Sequence, residues 1–413
     1  MVSTLSLAFK SLKRSKLRTL LTVLGIVIGI AAVIIVMSAG EGLKGLVMDQ
    51  INAFGSDFIQ IEIKVPATAK NSVSNAGALA QGVQVTTLTL DDAKAIGRLP
   101  NITNYYALIM GQNVVSYQDQ NKTVNYMAVS PAFFDMDQSE IAQGRYYSAD
   151  EDNELAKVAV IGSKLKADLF GNQDAVGQNL KIGNTIFKVI GVLKERGATF
   201  GFDFDELMYV PVQTAQKLLL GIDYIMTITA KMKDVSRQDV TADDITALLR
   251  ARHEISDPGK DDFSVTTVSE AKDMINTIFN GITFLLIAIA GISLIVGGVG
   301  IMSIMYVSVT ERTFEIGLRK AVGARKGQIL WQFLWEAIII TLLGGLIGIA
   351  VGLVFSYLVS IVALQFGLVW HFILPPQSIL IAFGFCGAVG LIFGYWPAQK
   401  AANLDPIVAL GHE

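Results

Sequence analysis

Side chains that could do chemistry are few and scattered in this sequence. Asp203, Asp205 and Glu206 form its densest acidic cluster, and carboxylates at such spacing could hold a divalent cation. Phenylalanines are interleaved with them, which favours a solvated turn over a metal site. The three histidines lie far apart, and the one cysteine, Cys386, sits in an apolar run. The sequence therefore predicts no catalytic residues and no metal site.

Nucleotide chemistry is also missing from the sequence. No segment matches the Gly-x-x-x-x-Gly-Lys-[Ser/Thr] loop that cradles phosphates, and the Gly259-Lys260 pair is followed by aspartate. We therefore expect this chain to carry no cofactor and to hydrolyse no ATP by itself.

One charged segment, residues 309–325, stands between two long apolar runs. Glu315 and Arg319 are four residues apart, in the order that favours an ion pair on a helix. Arg319 and Lys320 would lie in the last turn of that helix, and Gly323 is a suitable stop. A short charged helix between two apolar runs is predicted to lie at a membrane surface, on one fixed side.

The composition is that of a membrane protein. Hydrophobic residues make up 52% of the chain and charged residues 17%, and the mean hydropathy is +0.49. A helical span needs about 20 mostly apolar residues. Four stretches qualify, and the first is too long in its apolar core for a cleavable signal peptide. The predicted spans are residues 19–39, 282–307, 331–362 and 378–397. The net charge of −3 argues against nucleic acid as a partner.

Lysine and arginine residues near the span ends predict the orientation. They precede the first span, fill the loop between the second and third spans, and are absent from residues 365–377. We therefore expect a multi-pass protein of the cell membrane with both termini and the charged loop in the cytoplasm. Residues 40–281, approximately, would lie outside.

Glycines recur every fourth residue in the spans, at Gly25 and Gly29, and at Gly344, Gly348 and Gly352. That spacing lets helix backbones approach closely, either within the bundle or along a dimer seam. Glu336 is the one acidic residue near a span. It is predicted to snorkel to the surface or to cap a helix, with a proton or substrate site as the alternative.

The polar sequence between the first two spans predicts strands and short helices. Helices are predicted to start at Thr89, Thr241 and Thr267, and Gly183-Asn184 is a predicted hairpin turn. The fold class is therefore an α-helical membrane protein with four transmembrane helices and an α+β extracytoplasmic domain between the first and second spans. The remaining predicted segments are an amphipathic helix at 1–18, stalk helices at 40–55 and 269–281, two halves of one α/β subdomain at 56–123 and 223–268, an inserted β-rich subdomain at 124–222, a coupling helix at 308–330, an extracytoplasmic loop at 363–377 and a cytoplasmic tail at 398–413.

The sequence resembles the MacB/FtsX-like permeases of ATP-binding-cassette (ABC) systems over nearly its whole length. The segments that carry the resemblance are Ser15–Gly29, Val158–Ile161, Val176–Gly183, Gly298–Met305, Glu311–Ala324 and Pro397–Leu410. Members of the fused type begin with an ATPase domain, whereas this sequence begins at the permease. The resemblance therefore implies a separate ABC ATPase subunit, on which ATP and Mg²⁺ would bind.

The resemblance further implies a dimer with a second permease copy, in the lipid bilayer, and a membrane-fusion adaptor protein as a further partner. Coupling to the ATPase would fall on Glu311, Arg312, Glu315, Gly317, Arg319, Lys320 and Gly323. ATP-driven motion would pass through the stalk to the outer domain, a process called mechanotransmission, and would export peptides, antibiotics or similar amphiphiles.

Three alternatives share parts of this architecture. A lipoprotein-releasing permease would differ in its outer site, and an FtsX-like relay would signal to a cell-wall hydrolase. A membrane-anchored receptor would have no ATPase at all. Replacing Glu315 and Arg319 separates the last from the others, because only an ATPase-driven protein needs that helix.

Overall fold

The apolar sequence folds into four long helices, each long and apolar enough to cross a membrane. The computed structural model describes residues 16–410 except 54, 69, 71–74, 76, 79–81, 138, 200–201 and 366–369. The helices are α1 (Lys16–Ala53), α8 (Val268–Glu311), α10 (Lys326–Gln365) and α11 (Pro376–Asn403). In lipid, helix is the form in which a single segment satisfies all its own backbone groups. The predicted four-span membrane protein is confirmed, whereas residues 1–15 of the predicted amphipathic helix lie outside the described residues.

The helices extend beyond the predicted spans because polar sequence continues the same helices. Helix α1 continues through the predicted first stalk to Ala53, and α8 begins at Val268, fourteen residues before the predicted second span. A capping box starts α8, as the sequence predicts. The Glu270 carboxylate accepts the Thr267 backbone N–H at 3.0 Å, and the Thr267 hydroxyl accepts the Glu270 N–H at 3.1 Å.

The chain divides into two compact units. One, the membrane unit, comprises residues 1–49 and 274–413, and the other, the inserted domain, comprises Gln50–Asp273. The division falls within α1 and within α8. In the membrane unit a short helix α9 (Thr313–Ala321) joins α8 to α10, and α12 (Pro406–Leu410) follows α11.

In the residues that the structure describes, the inserted domain is built on one ten-stranded sheet with short helices. Its strands are β1 (Phe58–Ile63), β2 (Ile102–Tyr117), β3 (Gln120–Val129), β4 (Ile141–Gly144), β5 (Val158–Ile161), β6 (Asn179–Ile182), β7 (Thr185–Leu193), β10 (Met208–Pro211), β11 (Thr227–Met232) and β12 (Phe263–Thr267). A separate pair is β8 (Ala198–Thr199) with β9 (Phe202–Asp203). The helices are α2 (Leu90–Ile96), α3 (Phe133–Met136), α4 (Ala149–Asn153), α5 (Ser163–Phe170), α6 (Val212–Thr214), which continues as a π-helix over Ala215–Leu220, and α7 (Gln238–Arg252).

Strand order explains how the two halves of the α/β subdomain fit together. The order is β12-β1-β11-β2-β3-β10-β5-β7-β4, with β6 paired to β2 and β7. Within it, β12, β1, β11 and β2 are antiparallel to their neighbours. Helix α2 connects β1 to β2, and helix α7 connects β11 to β12, which is the split βαβ arrangement of ferredoxin-like folds. Each half therefore supplies alternate strands, so neither half can form a sheet without the other.

The predicted border between residues 123 and 124 lies inside a strand. Strand β3 pairs with β2 from Gln120 to Val129 without interruption, and β10 then pairs with β3. The β-rich insertion thus extends the same sheet. Its predicted hairpin is present, since β6 and β7 pair up to Ile182 and Thr185 and Gly183 takes a φ of +57°.

One predicted helix start is wrong. The sequence Thr241-Ala-Asp-Asp244 predicts a cap at Thr241, but α7 begins at Gln238 and Thr241 lies inside it. A 3₁₀ turn capped by Asp234 runs directly into the helix. The Thr241 hydroxyl instead donates to the Arg237 carbonyl at 2.8 Å and accepts from the Asn101 amide at 2.8 Å.

A buried imidazole connects the two halves of the inserted domain. His253, at the end of α7, places Nδ1 2.8 Å from an Asp262 oxygen and Nε2 3.4 Å from an Asp92 oxygen. The bond to Asp262, followed by that to Asp92, raises the pKa of His253 to about 9. Burial alone would raise the pKa of Asp92, but bonds from His253, Arg252 and Thr89 hold it below its ordinary value. At neutral pH the cluster is therefore a charged network around a protonated histidine.

We expect His253→Gln to destabilise the inserted domain at pH 7. Because the folded pKa of about 9 exceeds the unfolded value of 6.5, the stabilisation is complete below pH 6.5 and is lost as pH rises through 9. This increase in the pKa of His253 corresponds to a contribution of about 3 kcal/mol at most to the free energy of unfolding. Calorimetry of the purified chain should therefore show a large difference in Tm at pH 7 that shrinks at pH 10. His371→Gln, in the membrane unit, is the control, and an equal difference at both pH values would contradict the assignment.

Candidate functional site

The charged segment folds as a short helix that follows a break in α8. Helix α8 ends at Glu311, and α9 begins at Thr313, whose hydroxyl donates to the carbonyls of Val309 and Thr310. The helix ends before Gly323, which has a φ of +102° that favours glycine. Glu315 lies in the first turn, while Arg319 and Lys320 lie in the last turn, so the charges complement the helix dipole.

The basic side chains of this segment fasten it to the rest of the membrane unit. Arg319 donates to the Gln332 amide oxygen at 2.7 Å and pairs with Glu315 at 2.5 Å. Lys320 donates to the carbonyls of Ala402 and Leu404, at the end of α11. The predicted residues Arg319 and Lys320 therefore hold α9 against α10 and α11.

Arg312 has a similar role at the start of the segment. Its guanidinium lies 3.2 Å from the carboxylate of Glu336, which is 9% exposed. Glu336 is thus an ion-pair partner within the bundle, a role that differs from the snorkelling or capping predicted for it. An ion pair of low exposure costs several kcal/mol when one partner is removed, so it ties the start of the charged segment to α10.

One face of α9 is buried against the C-terminal helix α12. Ile316 is 3% exposed, and a Cβ at Gly317 would lie 2.7 Å from the Ala409 Cβ. Gly317 therefore allows α9 and α12 to pack closely. Of the seven residues predicted for coupling, Glu311, Glu315 and Gly323 are exposed, Arg312, Arg319 and Lys320 are half-buried, and Gly317 is buried.

The opposite face of α9 carries an exposed apolar row that sequence analysis did not single out. Phe314, Leu318 and Val322 are 55%, 51% and 83% exposed. Phe314 and Leu318 are four residues apart, so they lie on one side of α9, and Val322 follows four residues later, directly after the helix ends. We call these three residues the apolar row. In the sequence, the apolar row is the repeat of apolar residues at i, i+4 and i+8, which is hard to recognise among the surrounding charged residues.

The glycines of the spans contact neighbouring helices of the same chain. A Cβ at Gly344, Gly348 or Gly352 of α10 would lie 3.2, 2.9 or 2.8 Å from atoms of α1. Gly25 of α1 faces Gly297 of α8, where a Cβ would be 3.2 Å from the Gly297 Cα, and Gly29 faces Leu294. A Cβ at these distances would crowd the facing helix, so the glycines let α10 pack closely on α1 and α1 pack closely on α8.

The acidic cluster of the inserted domain is a structured turn. Asp203 and Glu206 both pair with Lys164, at 3.0 and 2.6 Å. Asp205 is buried and accepts the backbone N–H groups of Arg196 and Gly197. Among the residues that the structure describes, no group of three His, Cys, Asp or Glu side chains could hold a metal ion.

Comparison with known proteins gives the family. A family model described as the MacB-like periplasmic core domain matches residues 19–248, and a model of the FtsX-like permease C-terminal region matches residues 287–406. The macrolide export ATP-binding/permease protein MacB of Azoarcus sp. (strain BH72) is 39% identical and covers 98% of this chain. The MacB protein of Bdellovibrio bacteriovorus is 36% identical and covers 100%.

The chain spans 59% and 62% of the length of these two relatives. Among solved structures, the periplasmic region of MacB from Actinobacillus actinomycetemcomitans aligns with a TM-score of 0.47 at 21% identity, over 56% of this chain and 97% of that one. Because one family model covers more than half of the chain and a second covers the last three spans, the chain belongs to the MacB-like family of FtsX-type ABC transporter permeases.

Proposed function

We propose that this chain is the permease subunit of an ABC exporter and that α9 is the helix on which the ATPase acts. In this proposal both termini and α9 face the cytoplasm, and the inserted domain is extracytoplasmic. In this proposal ATP and Mg²⁺ bind to an ABC ATPase subunit that works with the permease, as its membership of an ABC transporter family suggests. A second permease copy completes the transporter.

The observation that carries this proposal is that α9 has one buried face and one exposed apolar face. Its buried face and its basic side chains hold it to α10, α11 and α12, whereas the apolar row is exposed. An exposed aromatic and aliphatic row on a firmly held helix is suited to a protein partner, since contiguous apolar side chains at a surface mark interaction sites. Force applied to that row would pass to the helices that hold α9.

Long helices support the transmission of that force. At 1.5 Å per residue, α1 and α8 are about 57 and 66 Å long, roughly twice the thickness of a membrane hydrocarbon core. Both continue unbroken past the division between the two units. Lys272 of α8 donates to Asn52 of α1 at 2.7 Å, where the two helices enter the inserted domain. We propose that they move together.

The spans offer little for a polar substrate to bind. Of all the residues in the four predicted spans, Glu336 is the single ionisable group with a charged form at pH 7, and Arg312 pairs with it. This favours work done outside the membrane over passage between the helices. The relatives are named for macrolide export. We propose peptides, antibiotics or similar amphiphiles as substrates, with a membrane-fusion adaptor protein as a further partner.

The test is co-purification with a candidate ABC ATPase, followed by ATP turnover in lipid nanodiscs. We expect Glu315→Ala combined with Arg319→Ala to lose the complex or its coupled turnover, because α9 then loses its bond to Gln332. Asp91→Ala with Lys94→Ala is the matched control, since it removes an exposed ion pair from α2 of the inserted domain. If no ATPase binds, or if both double variants behave like the wild type, the receptor without an ATPase becomes the better interpretation.

A further inference from the structure

A cavity of about 350 Å³ lies in the inserted domain, on one face of the β12-β1-β11-β2 sheet. The opposite face of these strands packs into the core through fully buried residues such as Ile59, Ala107 and Ile228. Side chains alternate between the faces of a strand, so the cavity face carries the intervening residues. Neither the proposed coupling nor the family models give this cavity a role.

The body of the cavity is apolar and aromatic. Its apolar walls come from Phe58, Tyr106, Leu108, Met127, Phe133 and Met136. Tyr106 and Phe133 meet edge to face, with ring centroids 5.2 Å apart. Tyr106 and Leu108 are only partly buried and pack at the border of the aromatic core cluster. Apolar surface left partly open in a concave site favours an apolar ligand.

A polar row crosses the same face of the sheet. In the strand register, Gln60 of β1 lies between Thr266 of β12 and Thr229 of β11. Thr229 in turn lies beside Tyr106 of β2. All four line the cavity. They offer hydroxyl and amide groups, which donate and accept hydrogen bonds without carrying charge.

The two charged residues of the lining neutralise each other. Arg196 places Nη1 3.0 and 2.9 Å from the two carboxylate oxygens of Asp137, and its guanidinium lies 4.5 Å above the centre of the Phe204 ring. The Asp137 side chain is 7% exposed. A charged ligand would therefore enter a site whose charges already have partners, and burying an unpaired charge is costly.

We propose that this cavity binds a compact amphiphile with an apolar body and an uncharged, hydrogen-bonding head. Its volume is near the lower end of the roughly 300–1,000 Å³ of ligand pockets, which suits a single alkyl chain or a small ring system. Ile51 of α1 and Ala271 of α8 form part of the wall, so the ends of both long helices border the ligand. This ligand is of the class of molecules that the proposed transporter exports, and in that one respect the proposal rests on the proposed function.

The experiment uses the full chain in lipid nanodiscs with a diazirine derivative of decanol, without ATPase or ATP. After irradiation, mass spectrometry locates the adducts. We expect adducts on the inserted domain among residues 102–137, in addition to those on the spans, which serve as an internal reference. Unlabelled decanol should suppress the cavity adducts about tenfold more effectively than decanoate or decylammonium, a difference of about 1.4 kcal/mol.

Two variants that fill the cavity make the test specific. Leu108→Trp and Thr229→Phe should each reduce the cavity adducts and leave the span adducts unchanged. Val114→Trp is the matched control, because Val114 lies on the same strand as Leu108 but is 48% exposed and outside the cavity. Calorimetry of each variant shows whether the domain is folded, and two independent positions protect against a folding defect in one.

The outcomes separate this site from the coupling proposal. Absent cavity adducts, or adducts that persist in both folded filling variants, would overturn the site. Stronger competition by decanoate or decylammonium would overturn the uncharged class of ligand. Because the labelling needs no ATPase, a chain that is labelled as expected but fails to bind an ATPase would contradict the coupling proposal alone.

Discussion

Replacing Leu318 with aspartate is expected to abolish stable binding of the ABC ATPase and its coupled ATP turnover. Leu318 is at the centre of the apolar row and is 51% exposed, so the substitution places the new charge at the surface of the chain. In the complex, however, it would bury a carboxylate in an apolar contact. We expect the buried charge to cost about 2–4 kcal/mol, the range of hot-spot substitutions, which corresponds to a loss of affinity of roughly 30- to 1,000-fold.

Binding of the purified ATPase to the permease in nanodiscs measures this effect directly. Leu318→Met keeps an apolar side chain and should bind nearly as well as the wild type. Gly327→Asp adds the same charge nearby, at an exposed position where a Cβ meets no atom within 4 Å, and should also bind. Wild-type affinity in the Leu318→Asp variant would show that the ATPase does not contact the apolar row.

This prediction differs in kind from the test of Glu315 and Arg319. Those two side chains bond to each other, and Arg319 also bonds to Gln332, so their loss loosens α9 from within. Leu318→Asp leaves those bonds in place and changes only the exposed face. A defect in both variants would indicate that holding the helix and presenting the row are both required.

Replacing Gly348 with leucine is expected to destabilise the membrane unit strongly. Even a Cβ at this position would lie 2.9 Å from both the Val27 carbonyl oxygen and the Ile30 Cβ of α1. One of those contacts is backbone, so α1 and α10 must separate. Forcing extra atoms into a packed interior costs about 1–3 kcal/mol, and more where the backbone cannot adjust.

Thermal unfolding followed by tryptophan fluorescence is the appropriate measurement, because all four tryptophans (Trp331, Trp335, Trp370 and Trp396) belong to the membrane unit. The Tm should fall progressively through Gly348→Ala, Gly348→Val and Gly348→Leu. Gly387→Leu in α11 is the control, since a Cβ there meets nothing within 4 Å. If the Gly348 series leaves Tm unchanged, α1 and α10 do not pack as closely as described.

Local sequence signals determined much of the fold. The apolar runs specify the four spans, because lipid requires long stretches of self-bonded helix. The capping boxes at Thr89 and Thr267 and the turn at Gly183 were also readable, since each depends on residues within four positions of each other. The family resemblance, carried by such short segments, is confirmed by the family models.

The tertiary structure alone decided which surfaces are free. The sequence pairs Arg319 with Glu315 but names no partner for Lys320, whereas in the structure Arg319 also donates to Gln332 and Lys320 donates to the carbonyls of Ala402 and Leu404. Leu318 carried no signal of its own, yet its side of α9 remains uncovered. Which face of a short helix is buried depends on helices from 13 to more than 80 positions away, and no local pattern records that choice.

The same reason applies to the inserted domain. His253 meets Asp92 across 161 positions of sequence, and the polar row of the cavity takes Gln60, Tyr106, Thr229 and Thr266 from four strands. Strand order creates both sites, and strand order is set by the summed burial of many side chains over long loops. The sequence by itself determined the class of the protein and most of its local elements, whereas only long-range packing decided where its charges are satisfied and where its apolar surface stays open.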